Sequence, residues 1–159
     1  MRGAKETGCE VFVLPESTRL ESISPGQGWA EEICRTGIES TKPIVIELFP
    51  DRLCANNDKS KHGLPDGEYR LTLLFVEPSG TAGGQRVMHV EVDGKQSRID
   101  AIDIFQHTRG TNRVLKIECP LHISNGKTPE LTLKPVKGKA LICGLIVSPQ
   151  LGPSSKKDG

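Results

Sequence analysis

The sequence has almost no net charge: 21 lysines and arginines stand against 20 aspartates and glutamates, a formal +1 over 159 residues. No run of five basic residues and no dense basic stripe occurs, so the electrostatic footprint of a nucleic-acid binder is missing and nucleic acid is not expected as a partner. Long apolar runs are missing too. None approaches the roughly 18 to 20 residues of a membrane span, and the first ten residues, MRGAKETGCE, lack the apolar centre of a signal peptide. No membrane partner is expected, and the compartment stays open. The five cysteines include no CxxC pair, which argues against a structural zinc site. GxSxG, HExxH, P-loop and GxGxxG patterns are all absent, and His62, His89, His107 and His122 show neither nucleophile nor ligand spacing. The expectation is therefore no enzyme and no cofactor. There is no internal repeat of 20 to 50 residues.

What is present is an ordinary globular mix, 35% hydrophobic and 26% charged, long enough for one domain with a real core. Seventeen glycines and eleven prolines spread along the chain point to short strands joined by turns rather than to long helices. The expected organisation is a small polar segment at 1–8, disordered or vector-derived, a single domain over 9–149, and a flexible tail or linker over 150–159 whose composition suits excision from something longer.

The clearest strand signals lie between Asp66 and Asp103. Tyr69 to Glu77 alternates at first, then Leu74 and Val76 make both faces apolar, as in a strand entering the middle of a sheet. After the glycine-rich loop Pro78 to Gly84, period two resumes over Arg86 to Val92, with Met88, Val90 and Val92 on one face. The two runs read as an antiparallel pair, and Asp93-Gly94 as a turn into Lys95 to Ile99. Elsewhere Glu10 to Leu14 and Ile44 to Phe49 read as strands, Trp29 to Cys34 as a helical turn or a short strand, and Glu16 to Gly28 and Asp51 to Leu64 as long loops. Ile102 to Phe105 is a short apolar piece. Arg113 to Cys119 is a strand ended by Pro120, Asn125-Gly126 is a reversal, Leu131 to Lys134 alternates, and Lys139 to Val147 reads as a last interior strand buried on both faces. About eight strands without a dependable long helix imply an all-β antiparallel sandwich of jelly-roll type. Most cysteines are expected to be reduced core residues, Cys143 above all; Cys34 and Cys54 are an alternative disulfide if the protein is extracellular.

Several of these pieces resemble one family. Gly67 to Glu77, GEYRLTLLFVE, is similar to the GxYxLxLxFxE strand of malectin and malectin-like domains. Arg86 to Gly94 resembles the hairpin that follows it, Asp103-Ile104-Phe105 the family's DIF segment, and Leu131 to Val147 its last two strands. The match covers roughly Gly67 to Val147 and implies a galactose-binding-like β-sandwich, with recognition of glycans or a role as receptor or appended non-catalytic module. The family's tyrosine and phenylalanine after the strand's glutamate are here Pro78 and Ser79, and its aromatic and acidic loop before the final strand is here Val136 to Lys139, so no binding residue carries over. Aromatics make up only 4% of the chain, with one tryptophan and one tyrosine, whereas sugars usually need a ring face for stacking.

The candidate carbohydrate-binding residues are Trp29, as a stacking platform, and Glu77 with Arg86, as a polar fork for hydroxyls at the loop end where Pro78 to Gly84 meets the two long loops. Each has a plainer alternative: Trp29 as core or lid, and Glu77 with Arg86 as a mutual surface pair. His89 and Glu91 read as a solvated sheet face. Asp100, Asp103 and His107 read as capping and turn residues rather than metal or acid/base groups. A structural calcium, present in some similar sandwiches, is left open without support from the residues. The reading is a non-catalytic carbohydrate-recognition module with a glycan or oligosaccharide as ligand. Its alternative is a structural or protein-interaction module packed against neighbouring protein domains.

Overall fold

The computed structural model of the chain describes residues 9–22, 28–48, 66–92, 97–124 and 129–149. The expected loop Asp51 to Leu64, the turns Asp93-Gly94 and Asn125-Gly126, Cys54 and both terminal segments lie outside the described residues. Within them run β1 (Glu10–Val13), β2 (Glu21–Ser22), a short helix α1 (Gly28–Ile33), β3 (Thr36–Ser40), β4 (Ile44–Glu47), β5 (Gly67–Val76), β6 (Val87–Val92), β7 (Ser97–Ile102), a second short helix α2 (Ile104–Thr108), β8 (Arg113–Ile123), β9 (Glu130–Lys137), β10 (Ala140–Ile142) and β11 (Gly144–Pro149).

These strands form three sheets with the orders β11-β5-β8-β2, β4-β9-β6-β7 and β1-β3-β10. All pairings are antiparallel except that of β2 with β8. The two four-stranded sheets are the layers of the sandwich. Between them lie Leu71, Leu73 and Phe75 of β5, Met88, Val90 and Val92 of β6, Leu121 and Ile123 of β8 and Leu131 and Leu133 of β9, in one continuous core. The opposite face of the β5 sheet carries a second, smaller core, where Leu74, Val76 and Val114 meet Leu20, Ala30 and Cys34. Strand β5 is thus covered on both faces, as its uninterrupted apolar second half requires.

Three sequence-based expectations are corrected. First, β5 does not pair with β6. Its neighbours are β8, in register from Gly67↔Ile123 to Val76↔Val114, and β11, while β6 lies in the other sheet between β7 and β9. The intervening loop crosses from one layer to the other. Second, Lys139 to Val147 is not one interior strand. It breaks at Cys143 into β10 and β11, which belong to different sheets and stand at the ends of their orders. The break follows from packing: a Cβ on Gly144 would lie 2.5 Å from Ile33 Cγ2 of α1, so only glycine lets the helix seat there. Third, Pro120 does not end its strand. It pairs with Arg70 inside β8, and since β2 reaches only Arg113 and Val114, the other edge of β8 at Pro120 is paired with no strand among the described residues, the Ser97 hydroxyl of β7 alone donating to the Pro120 carbonyl. A residue without an N–H is tolerated there.

Smaller differences concern length. The expected helical turn or short strand at Trp29 to Cys34 resolves as the helix Gly28–Ile33, Glu16 to Gly28 contains the two-residue β2, and Thr36–Ser40 is a strand that periodicity did not mark. The apolar piece after Ile102 becomes α2, because Asp103 caps it, accepting from the Gln106 amide.

Candidate functional site

The loop end expected to carry a ligand is built around Glu77, the residue after β5. Its carboxylate accepts from Arg86 through a two-pronged contact, Nε to Oε1 at 2.7 Å and Nη2 to Oε2 at 3.1 Å, and from the backbone amides of Ser79 and Gly80 at 3.2 and 3.0 Å. The remaining guanidinium nitrogen of Arg86 reaches Glu39 Oε1 at 3.2 Å and the carbonyl of Lys139 at 3.0 Å. Lys139 in turn donates to Glu10 at 2.6 Å. The fork anticipated from the sequence exists, but it is not a surface pair: the Glu77 and Arg86 side chains are 3% and 11% exposed. Burial opposes the charge on Arg86, and the Glu77 hydrogen bond and charge outweigh it, so its pKa is raised overall.

This network ties together five segments: the end of β5, the loop to β6, β3, the β9–β10 turn and, through Glu10, β1. The chain can fold this tightly because Gly80 lies against the Glu77 side chain and because Gly138, at φ 68°, brings its Cα side to 2.6 Å from the Gln85 carbonyl for any added Cβ. Gly138→Ala is therefore expected to destabilise the domain by about 1 to 3 kcal/mol, from the left-handed backbone and the contact together. A chemical denaturation curve coinciding with that of the parent protein would refute this.

Between these segments lies a shallow cleft of about 190 Å³ lined by Glu77, Ser79, Gly80, Gln85, Arg86 and Lys139. No ring is among its lining residues. Each Glu77 oxygen already accepts at least one hydrogen bond, so the carboxylate acts first as the anchor of its loop. Trp29 lies in α1 by its backbone, and its ring is outside the described residues. The structure thus brings together Glu77 and Arg86. Glu39 and the Lys139 carbonyl complete the network and were not foreseen, since β3 is five residues long and TGIES carries no readable period.

The other residues weighed from sequence have structural partners. Asp103 caps α2 and accepts from Gly84 N at 2.5 Å, tying the 78–86 loop to the helix. Asp100 pairs with Arg98 at 2.6 Å. His89 is half-buried and its Nδ1 accepts from the Ala101 amide at 3.0 Å; Glu91 is bridged by Lys134 and Arg98. Neither His89 nor Glu91 sits on a freely solvated face. Among the described residues, no three His, Cys, Asp or Glu side chains converge on a metal position.

A second concavity differs in character. It is an apolar groove of about 470 Å³ at the open side of the sandwich, walled by Val11 of β1, Ile38 of β3, Ile46 and Leu48 at the end of β4, and Ile142 and Leu145 on either side of the Cys143 break. Strand β1 has β3 as its one neighbour among the described residues. Val11 and Val13, on one face by strand alternation, are 65% and 69% exposed. Cys143 lines this groove and is half-buried rather than fully enclosed.

The family model of the malectin domain matches residues 51–147. No curated protein matches the chain. Among solved structures, the chain resembles the extracellular domain of ANXUR2 from Arabidopsis thaliana (TM-score 0.64, 11% identity, 87% of this chain and 38% of that one). A second likeness is to the complex of the plant peptide RALF23 with FER and LLG2 (0.63, 12%, 86% and 38%). A third is to Bacteroides uniformis β-glucuronidase 2 covalently bound to cyclophellitol-6-carboxylate aziridine (0.56, 10%, 89% and 13%). At these identities the likeness is one of fold, and the chain spans well under half of each of these structures.

Proposed function

As the chain belongs to the malectin domain family, we propose that it is a non-catalytic recognition module whose ligand is an extended apolar segment of a partner protein. The observation that carries this reading is the apolar groove beside β1. An edge strand offers unpaired backbone groups to an incoming strand, and pockets beside it take alternate side chains, which is how sheet edges recognise peptides. Val11 and Val13 stand exposed on that edge, with Ile38, Ile46 and Leu145 nearby to receive aliphatic side chains. The reading also agrees with a relative of the same fold being solved with a peptide and a protein bound.

Glycan recognition at the Glu77–Arg86 cleft is the second reading, favoured by those two residues meeting at the loop end. In it, Trp29 is the stacking platform, and with one ring contributing about 1 kcal/mol the affinity is on the order of millimolar. The two readings separate by titration. Peptides selected from a random displayed library against the protein are expected to shift the amides of β1 and β3, and to lose about tenfold or more in affinity with Val11→Glu or Val13→Glu. Glucose-, galactose- and mannose-containing oligosaccharides at millimolar concentration are expected to leave the amides of 78–86 and 138–139 unmoved. Sugar-induced shifts there, with no peptide selected at β1, would replace the first reading by the second.

A further inference from the structure

Two cysteines that lie 109 residues apart in sequence meet at one point of the fold. Cys34 follows α1 and is fully buried, and Cys143 is the residue at which β10 gives way to β11. Cys143 Sγ lies 3.9 Å from the Cys34 carbonyl oxygen, and Cys34 Sγ lies 3.8 Å from the Phe75 carbonyl. Both backbones are pinned. The Cys34 amide donates to Ala30 at 3.1 Å and the Cys143 amide to Leu74 at 2.9 Å, while Gly144 admits Ile33 against the strand junction. The other described cysteines are placed differently: Cys119 belongs to the inter-sheet core, and Cys9 precedes β1.

We propose that Cys34 and Cys143 are a disulfide-forming pair, a covalent modification site that joins the end of α1 to the β10–β11 junction by exchange with a low-molecular-weight disulfide. Cys143 Sγ already reaches the Cys34 backbone, and with both backbones held in place, closure asks for side-chain rotation that turns the two sulfurs from their carbonyl partners toward the geometry a disulfide needs. Access is one-sided. Cys143 lines the apolar groove and Cys34 does not, so Cys143 is the first to react. Its thiolate attacks one sulfur of the small disulfide, that S–S bond breaks, and one small thiol leaves. The Cys34 thiolate then attacks Cys143 Sγ and expels the second small thiol. In sum two protein S–H groups are oxidised, one small disulfide is reduced, and both protons leave on the small thiols or in water.

The bland alternative is that both are inert buried thiols. The Cys34 hydrogen bond and burial raise the Cys143 pKa well above the usual thiol range. Only the thiolate attacks, so exchange at neutral pH is slow and quickens about tenfold for each unit of pH.

Trypsin decides between them, because each of the five cysteines falls in its own tryptic peptide: 6–19, 20–35, 53–59, 117–127 and 140–156. The whole chain is incubated with oxidised glutathione at alkaline pH, and in parallel refolded from denaturant in a mixture of oxidised and reduced glutathione, then digested without reduction and mapped by mass spectrometry. The expected result is one species joining 20–35 to 140–156, lost in Cys34→Ser, retained in Cys54→Ser and Cys119→Ser, and opened by dithiothreitol. The proposal is overturned if both incubations yield only free peptides or glutathione adducts, or if 20–35 is joined instead to 53–59.

Discussion

Arg86→Met lowers the stability of the folded domain by about 3 to 5 kcal/mol, the largest effect expected of any single polar substitution described above. The reason is what it leaves behind. Glu77 is 3% exposed, and without the guanidinium its carboxylate keeps only the amides of Ser79 and Gly80, so a charge stays buried without its counter-charge. Arg86→Lys does not restore the loss, because an ammonium cannot fork onto Glu77 and also reach Glu39 and the Lys139 carbonyl. The double variant Glu77→Gln/Arg86→Met recovers a part, since the amide oxygen still accepts from the loop and the most deeply buried charge is gone, leaving only the more exposed Glu39 without the guanidinium. Urea denaturation of the parent, Arg86→Met, Glu77→Gln and the double variant forms a double-mutant cycle. An Arg86→Met variant within 1 kcal/mol of the parent, roughly the size of an exposed pair, would mean the network is solvated. The pH dependence has a definite sign. The folded pKa of Arg86 is raised, so its contribution is fully present below the ordinary arginine range and is lost only as pH rises through the higher folded value. Across neutral and mildly alkaline pH this contribution is flat.

Phe75→Ala is expected to cost about 3 to 5 kcal/mol, and Leu145→Ala markedly less, about 1 to 2 kcal/mol. From sequence both positions qualify as core, at equal cost. In the structure Phe75 is 0% exposed between the two sheets, and deleting its ring leaves a cavity enclosed on all sides. Leu145 lies on the edge strand β11, half-buried against the same core and bordering the apolar groove, where solvent and neighbours can take up the lost volume. Denaturation midpoints at equal m-value measure the difference. Equal losses would show that the groove is filled in solution as tightly as the core.

Much of this fold is legible without coordinates, for a physical reason. The inward face of a half-buried strand must alternate, so the periods of Tyr69 to Val76, Val87 to Val92 and Leu131 to Leu133 appear in the chain itself. The doubling of apolar residues at Leu74 and Val76 likewise announces the second core on the far side of β5. The turn-rich composition and the order of the family-like segments carry the sandwich as far as a sequence can. Even the meeting of Glu77 and Arg86 was open to reading, because both flank one loop.

Pairing was decided elsewhere. Period two says which face a residue takes and nothing about which strand lies alongside, and the ten-residue loop 77–86 joins hairpin partners or opposite sheets with equal ease. Here the buried Glu77 carboxylate, bound to the Ser79 and Gly80 amides, turns the chain across to the other layer. The apolar run through Cys143 looked like one strand because a strand and a junction between two sheets are equally apolar when both are covered. Only the close approach of Ile33 to Gly144 separates them. The same holds for the cysteines. Their identities are in the sequence, but the contact of Cys34 with Cys143 exists only where α1 packs on that junction, a contact between distant segments that no local pattern encodes. Patterning fixes what each strand buries, while long-range packing of glycines, buried charge and helix against sheet fixes where each strand goes.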